Sequence, residues 1–288
     1  TIAQRINPIL IGIYKNLKIK NYTFIPNCKH YGMFHDIQTQ FLEAKIKGQK
    51  KFAVLIDPDK IRLEKVHKVL DTSIESGVDY FFIGGSLIVN PMLDQVIHVI
   101  RQKCNIPVIL FPGNPYQITD KADAILFLSL ISGRNPDFLI GNHVISAPIL
   151  KNSGLEIMPT GYMLIDGGHP TSVQYMSNTM PIPANKEEIA LCTAIAGEML
   201  GMKQVFMDAG SGAENAVSVS MLQTVSKNIN IPLITGGGIN APQKAADRAA
   251  SGADVIVVGN ALEKEPCLIR ELSVAIHEQS ELIKANML

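Results

Sequence analysis

The sequence predicts an α/β fold, a TIM (β/α)8 barrel in which the third helix is short or missing. Short apolar runs recur eight times between residues 52 and 258, and helical patterns separate most of them. No G-x-G-x-x-G motif follows the first run. Eight such units match the usual size of this barrel, ~250 residues. A doubly wound open sheet is the competing architecture, but its first turn normally carries that glycine motif.

The eight predicted strands are near-continuous apolar runs, as parallel strands covered on both faces require. They are FAVLID (52–57), YFFIG (80–84), PVILF (107–111), AILFLS (124–129), LEIMP (155–159), QVFMD (204–208), PLIT (232–235) and DVIVV (254–258). The clearest helical patterns between them cover residues 59–77, 91–104, 185–200 and 242–252. Two of these end on glycine, which favours helix termination.

One unit of the alternation is irregular. Only PGNPYQITDKAD (112–123), with a proline at its first and fourth positions, separates the third strand from the fourth. A parallel crossover normally needs a dozen or more residues and a helix. The segment is either a tolerated short loop or a gap that leaves an apolar seam along the barrel side. A long hydrocarbon could lie in such a seam.

Composition excludes several classes of function. The chain has 26 basic and 26 acidic residues and no basic block with interleaved aromatics, so a nucleic-acid partner is not expected. Mean hydropathy is +0.17, yet no apolar run reaches the ~20 residues that span a bilayer, which leaves peripheral membrane contact open. The four cysteines, Cys28, Cys104, Cys192 and Cys267, form no CxxC pair, which favours a cytoplasmic protein. We divide the chain into an extension (1–45) and one barrel domain (46–288).

The last strands end in glycine. GGGI (236–239) and GN (259–260) follow the seventh and eighth strands, and Gly210, Ser211 and Gly212 follow the sixth. Loops after the last strands of TIM barrels commonly bind phosphate, since glycine lets backbone N–H groups approach the oxygens. Tight turns that need positive φ are the alternative, although three consecutive glycines exceed what a turn needs. The pattern therefore predicts a phosphate site.

Two carboxylates end strands at the same predicted mouth. Asp208 ends the sixth strand and is either a catalytic group or a helix cap. Asp57 ends the first strand, and Asp59 is the better cap for the helix starting near Ile61, which frees Asp57. With the hydroxyl of Ser86, Asp57 offers the sparse oxygen donors that Mg²⁺ accepts when phosphates complete its shell. The mouth is therefore predicted to handle two phosphorylated substrates.

Seven segments in order carry a family resemblance. They are FAVLIDPDK, FFIGGS, VILFPGN, LEIMPTGYMLIDGG, FMDAGSGAENAV, LITGGGI and ADVIVVGN, within residues 50–265. Together they resemble the geranylgeranylglyceryl phosphate synthase family, which includes bacterial heptaprenylglyceryl phosphate synthases, and PTGYMLIDGG is most similar to its second group. The resemblance implies a barrel whose third helix is replaced. It also implies Mg²⁺-dependent transfer of a prenyl group, with geranylgeranyl diphosphate as the expected donor, to the C3 hydroxyl of sn-glycerol 1-phosphate.

The resemblance also implies a set of site residues. Its Mg²⁺ ligands fall on Asp57 and Ser86, and Asp208 is the base that receives the glycerol proton. Its glycerol 1-phosphate contacts fall on Phe206, Met207, Asp208, Ala209, Gly210, Ser211, Gly212, Gly237, Gly238, Gly259 and Asn260. Family members commonly have Tyr-Leu-Glu where this chain has Phe206, Met207 and Asp208. The phenol is therefore absent, and the carboxylate reaches ~1.5 Å less far.

Several interpretations remain open at this point. Tyr162, placed in the loop after the fifth strand, is a candidate substrate contact or an ordinary packed aromatic, and His143 is expected to pack within a helix. Besides the prenyltransferase, a sugar-phosphate isomerase could use Asp57 and Asp208, and a non-catalytic member could bind a phospholipid precursor. The family and the apolar composition favour a homo-oligomer.

Overall fold

Eight parallel strands pair in chain order and close on themselves, with β1 bonded to β2 on one side and to β8 on the other. This confirms the predicted TIM barrel. The structure, a computed structural model, describes residues 36–60, 63–89 and 92–287. The strands are Lys51–Ile56 (β1), Tyr80–Ile83 (β2), Val108–Leu110 (β3), Ala124–Leu130 (β4), Glu156–Leu164 (β5), Gln204–Asp208 (β6), Leu233–Gly236 (β7) and Val255–Val258 (β8).

Helices cover the outside and one end of this ring. They are Ile37–Ile46 (α1), Leu63–Glu75 (α2), Leu93–Lys103 (α3), Asn142–Ser153 (α4), Ser172–Ser177 (α5), Glu187–Met199 (α6), Val219–Ser226 (α7), Pro242–Ala250 (α8), Asn260–Lys264 (α9) and Leu268–Met287 (α10). A π-helical turn, Asp137–Gly141, precedes α4. None of the helices in the described part of the chain has the length and apolar character needed to cross a bilayer.

Strand alternation decides which side chains reach the barrel interior. On β6, Phe206 packs with the inward residues of other strands, whereas Val205 and Met207 pack with the helix layer. Successive side chains on a strand point to opposite faces, so Asp208 shares the inward face with Phe206. The last inward position of this strand therefore opens at the carboxyl end of the barrel.

The sector between β3 and β4 has no helix among the described residues. The two strands pair through only Ile109 with Ala124 and Leu110 with Ile125, whereas β4 and β5 pair over seven positions. The outward side of β4 is consequently covered by α4 and by the 112–123 segment. The prediction that the third helix is short or missing is confirmed.

Helix α1 seals the opposite end of the barrel. Ile37 and Phe41 are buried among the inward strand residues, and the Phe41 ring packs edge-on against Tyr80 at 5.0 Å. The Glu156 carboxylate on β5 accepts the free N–H groups of Ile37 and Gln38, each over 2.7 Å. The predicted boundary between extension and barrel, at residue 45, thus falls inside a helix that packs on the barrel. The first 35 residues of the predicted extension lie outside the described residues.

Candidate active site

The carboxyl ends of the strands surround a cavity of about 520 Å³. Its lining includes the predicted residues Asp57, Ser86, Asp208, Gly237 and Asn260. Outward residues of β4, among them Ile125 and Phe127, also line it. The cavity is therefore continuous from the barrel mouth into the sector without a helix.

Glycines on the β6 and β7 loops have positive φ and pack closely. Gly237 has a φ of +79°, and a Cβ there would lie 2.7 Å from Asp208 Oδ1 and from Gly210 N. Gly238 has a φ of +67°, and its Cβ would lie 2.6 Å from Ala216 N. Both positions thus need glycine for the packing between the two loops. This packing holds the glycine-rich rim in a fixed shape, and Gly237 and Gly238 both line the cavity.

Asp208 and Tyr162 form a buried polar pair at this rim. The Tyr162 hydroxyl donates to Asp208 Oδ2 over 2.7 Å, and the Gly210 N–H donates to Oδ1 over 2.8 Å. Burial raises the pKa of the Asp208 carboxyl, and these two hydrogen bonds oppose the rise. Burial and the Asp208 charge raise the pKa of Tyr162. Asp208 is therefore a stronger base than an exposed carboxylate, and Tyr162 fixes its orientation.

Three aromatic rings lie beside this pair. Phe111 stacks on Phe206 with ring centroids 5.1 Å apart, and Tyr162 contacts both rings at 6.0 and 5.6 Å. Tyr162 and Phe206 are register partners on β5 and β6. A phenolic hydroxyl therefore reaches Asp208 from the neighbouring strand, although residue 206 itself supplies none.

Asp57 lies on another edge of the same mouth. Asp57 is buried, and its carboxylate accepts the Asp59 N–H through Oδ1 over 3.1 Å. Oδ2 forms an ion pair with Lys60 Nζ at 2.9 Å. Ser86 lines the cavity as well. This edge offers one carboxylate and one hydroxyl, with a cation already beside the carboxylate.

Gln117 fixes the loop that carries Ser86. Its buried side-chain amide donates to Gly85 O over 2.9 Å and accepts the Gly113 N–H over 3.0 Å. The 112–123 segment thereby holds the end of β2 in place. A Cβ on Gly85 would lie 3.0 Å from Asp57 Oδ2, so the loop also packs closely on the carboxylate.

The sector without a helix is mainly apolar inside the cavity. Ile118, Ile125, Phe127 and Leu150 line it, together with His143. The His143 ring packs edge-on against Phe127 at 4.4 Å, and its Nε2 lies 3.1 Å from Ser129 Oγ. Burial lowers the pKa of His143, which favours the neutral imidazole. The packing role predicted for His143 is confirmed.

Some predicted positions differ in the structure. Met207 and Ala209 pack in the helix layer because strand alternation turns them away from the mouth, so their side chains cannot contact a substrate there. Tyr162 lies within β5, which runs to Leu164, and not in the following loop. The Asp59 carboxylate accepts the Val89 N–H, while the predicted helix start at Ile61 lies outside the described residues.

The sequence predicted no role for three residues described above: Lys60, Phe111 and Gln117. Lys60 and Phe111 line the cavity, whereas Gln117 fixes the loop that carries Ser86. For Lys60 the available signal was its position three residues after Asp57, which suits an ion pair within one turn. No local pattern distinguishes Gln117, because its partner Gly85 lies 32 residues earlier and is brought to it by the fold.

Comparison with known proteins identifies the family. The sequence profile of the PcrB family matches residues 44–277. The chain belongs to the PcrB family. The geranylgeranylglyceryl phosphate synthase of Chitinophaga pinensis is 52% identical to this PcrB-family chain, covering 88% of it and 100% of the relative. The synthase of the same name from Korarchaeum cryptofilum is 38% identical, covering 85% of this chain and 99% of the relative.

A solved structure agrees with the fold of this PcrB-family chain. The (S)-3-O-geranylgeranylglyceryl phosphate synthase of Thermoplasma acidophilum, in complex with its substrate sn-glycerol-1-phosphate, superposes with a TM-score of 0.81 at 29% identity. The superposition covers 85% of this chain and 100% of that chain. The resemblance drawn from the seven sequence segments is confirmed at the level of the family.

Proposed function

We propose that this protein transfers a prenyl group from its diphosphate to the C3 hydroxyl of sn-glycerol 1-phosphate. One observation carries the proposal: a single cavity joins the glycine-rich rim, Asp57 with Ser86, and the apolar seam along β4. The names of the relatives support the same activity. A sugar-phosphate isomerase, the main alternative, would have no use for the apolar seam.

The rim and the seam would bind different parts of the two substrates. Backbone N–H groups after β6, β7 and β8 suit the phosphate of glycerol 1-phosphate, with Ser211 and Asn260 beside them; Ser211 Oγ donates to Asn260 Oδ1 over 2.9 Å. The prenyl chain would lie along Ile118, Ile125 and Phe127, where it removes apolar surface from water. Bound in this way, the prenyl group has its reacting carbon, C1, at the mouth of the barrel.

Asp57 and Ser86 would hold Mg²⁺. The donor set fits this ion, since oxygen ligands are what Mg²⁺ prefers, and Asp57 Oδ2 already has a cation at 2.9 Å. The described residues contain no cluster of three His, Cys, Asp or Glu that could hold a metal, so phosphate oxygens would complete the shell. When bound, Mg²⁺ stabilises the negative charge of the departing diphosphate.

Asp208 would take the proton in this reaction. The bond between the prenyl C1 and the diphosphate oxygen breaks, and the C3 oxygen of glycerol 1-phosphate forms the ether bond to C1. The hydroxyl proton passes to Asp208, whose raised pKa suits a base at neutral pH. Tyr162 holds Asp208 Oδ2, and diphosphate leaves as the second product. Positioning and charge stabilisation therefore supply most of the catalysis.

The direct test is an incubation of the protein with Mg²⁺, sn-glycerol 1-phosphate and labelled geranylgeranyl diphosphate. We expect an ether-linked product that resists base, and no product from sn-glycerol 3-phosphate or in EDTA. Asp57→Ala should abolish turnover, whereas Asp71→Ala, which removes a surface carboxylate paired with Lys103, should not. Absence of product with every prenyl length, in protein of native circular dichroism, would contradict the proposal.

The seam can be tested separately with two neighbouring positions on α4. Leu150 lines the cavity, while Ile149 is 56% exposed on the outside. Leu150→Trp should reduce turnover of geranylgeranyl diphosphate more than that of shorter donors, because the larger ring fills the seam. Ile149→Trp should leave donor preference unchanged. Equal donor preference in both variants would place the prenyl chain elsewhere.

We also propose that the protein self-associates. The outer surface of the π-helical turn and α4 exposes four apolar side chains: Ile140, Val144, Ile145 and Ile149, each 56–66% exposed. Val144→Asp should lower the oligomeric state in analytical ultracentrifugation, whereas Val274→Asp on α10 should not.

The cytoplasmic location stays a prediction. The described cysteines, Cys104, Cys192 and Cys267, are free thiols, which is compatible with that location.

A further inference from the structure

Lys60 connects two edges of the barrel mouth. Its Nζ lies 2.9 Å from Asp57 Oδ2 and 3.3 Å from Ser211 Oγ. Asp57 directly follows β1, and Ser211 lies in the loop after β6. One ammonium group therefore contacts both the carboxylate proposed for Mg²⁺ and the serine of the phosphate rim.

The Lys60 ammonium interacts with the charges of two carboxylates, Asp57 and Glu263. Glu263 on α9 also lines the cavity, and burial raises the pKa of its carboxyl, while the Lys60 charge opposes that rise and the Asp57 charge adds to it. The Lys60 side chain remains 47% exposed, whereas that of Asp57 is only 10% exposed. The carboxylate is thus fixed by burial, and the ammonium retains freedom to move.

A purely structural ion pair does not account for this placement. An ion pair with a half-exposed lysine adds little to stability, yet Lys60 also reaches Ser211 across the mouth. A divalent ion on Asp57 would bring a second cation to the oxygen that Lys60 now contacts. The ammonium would then turn to the nearest anion, which would be a phosphate group held at the rim beside Ser211.

We propose that Lys60 is a further phosphate-binding residue of the mouth, exchanging Asp57 for substrate phosphate oxygens when a divalent ion binds. The inference rests on the proposed function and adds a protein cation to its phosphate site. A lysine suits this task, since its compact charge on a flexible stem carries three hydrogen-bond donors. The phosphate oxygens could belong to glycerol 1-phosphate or to the diphosphate of the prenyl donor.

The test compares Lys60→Met with Lys65→Met. Methionine keeps most of the stem and removes the charge, and Lys65 is an exposed lysine on α2 that does not line the cavity. Mn²⁺ alone is titrated by the electron paramagnetic resonance of the free ion. Pyrophosphate and sn-glycerol 1-phosphate are then titrated by calorimetry at saturating Mn²⁺, and Lys60→Arg serves as the charge-conserving variant.

Opposite effects on metal and phosphate are the expected signature. Lys60→Met should bind Mn²⁺ alone about two- to fivefold more tightly, because the competing ammonium is gone. It should bind pyrophosphate, glycerol 1-phosphate or both at least about tenfold more weakly, the scale of a charge-assisted hydrogen bond. Lys65→Met should match the wild type, and Lys60→Arg should recover part of the phosphate affinity. The ligand whose affinity falls, pyrophosphate or glycerol 1-phosphate, identifies the substrate whose phosphate Lys60 contacts.

Other outcomes overturn the inference. Wild-type affinity of Lys60→Met for both phosphates would exclude phosphate binding, and a joint loss of Mn²⁺ and phosphate affinity would indicate a structural role. Binding of the two phosphates to the wild-type protein distinguishes failure of the Lys60 inference from failure of the proposed function. Wild-type protein that binds pyrophosphate but not glycerol 1-phosphate would reject the acceptor, while Lys60 would still be judged on pyrophosphate. Wild-type protein that binds neither phosphate would reject both proposals.

Discussion

Tyr162→Phe removes one oxygen atom from the buried pair at the β6 rim. The ring remains against Phe111 and Phe206, so packing changes little. The lost hydrogen bond, 2.7 Å to Asp208 Oδ2, joins a hydroxyl to a carboxylate. Hydrogen bonds to charged groups contribute ~1.5–3 kcal/mol, and the Gly210 N–H still satisfies the other oxygen. We therefore expect the free energy of unfolding to fall by about 2 kcal/mol at neutral pH.

This loss should depend on pH in a defined direction. Burial raises the pKa of Asp208, and the Tyr162 hydroxyl opposes that rise. A carboxyl whose folded pKa lies above its unfolded value contributes stability at low pH that is lost as pH rises through the folded pKa. Tyr162→Phe raises the folded pKa further. The stability deficit of the variant should therefore be largest at neutral pH and shrink as pH falls.

Urea unfolding of wild type and variant at several pH values measures this deficit. Tyr80→Phe is the matched control, since its buried hydroxyl at the other end of the barrel donates to the neutral Gln40 Oε1 over 3.0 Å. That substitution should cost about 1 kcal/mol with little dependence on pH. If the two deficits followed pH in parallel, the Tyr162 hydroxyl would not stabilise an ionised Asp208. In activity assays the acidic limb of kcat/KM should move to higher pH in Tyr162→Phe alone.

Three further substitutions test other parts of the fold. Gly237→Ala should weaken glycerol 1-phosphate binding about tenfold in calorimetry, whereas Gly77→Ala, which also has positive φ but has no neighbour within 4 Å, should lose only stability. Gln117→Leu should weaken Mn²⁺ binding about tenfold, since it releases the loop of Ser86, and unchanged affinity would refute this positioning role. Burial raises the pKa of Asp79, but the hydrogen bond from His277 and the charge of Lys51 outweigh burial and hold that pKa below its usual value. The ionised Asp79 carboxylate therefore stabilises the fold above its unfolded pKa, and this stabilisation is lost as pH falls through the folded pKa. Asp79→Asn should therefore cost about 2 kcal/mol in urea unfolding at neutral pH and much less near pH 3.

The strand order and the gap after β3 could be predicted because both are local features of the chain. Each strand is an apolar run long enough to be recognised alone, and twelve residues with two prolines cannot form a crossover helix. The full length of β5 could not be predicted from the sequence, because Pro159 and Gly161 indicate that the strand ends there. It continues since both residues pair with β4, and a Cβ on Gly161 would lie 2.8 Å from Ile131 Cδ1.

The strand-end carboxylates of the candidate site were predicted for a similar reason. Asp57 and Asp208 end or follow recognisable strands, so their place at the mouth follows from the barrel alone. The pairing of Asp208 with Tyr162 depends on the register of β5 and β6, which no local pattern encodes. The contact of Lys60 with Ser211 joins residues 151 positions apart. Contacts of this kind require the folded chain.

Helix α1 has a consequence for the order in which the chain folds. It is made before every strand it covers, yet the Glu156 carboxylate that caps it is 119 residues further along. A helix of ten residues is not stable alone in water, so a nascent chain carries this segment unfolded until Glu156 has been made. Ring closure between β1 and β8 comes later still. Ribosome-bound intermediates must therefore keep Ile37 and Phe41 from aggregating until the rest of the protein has emerged.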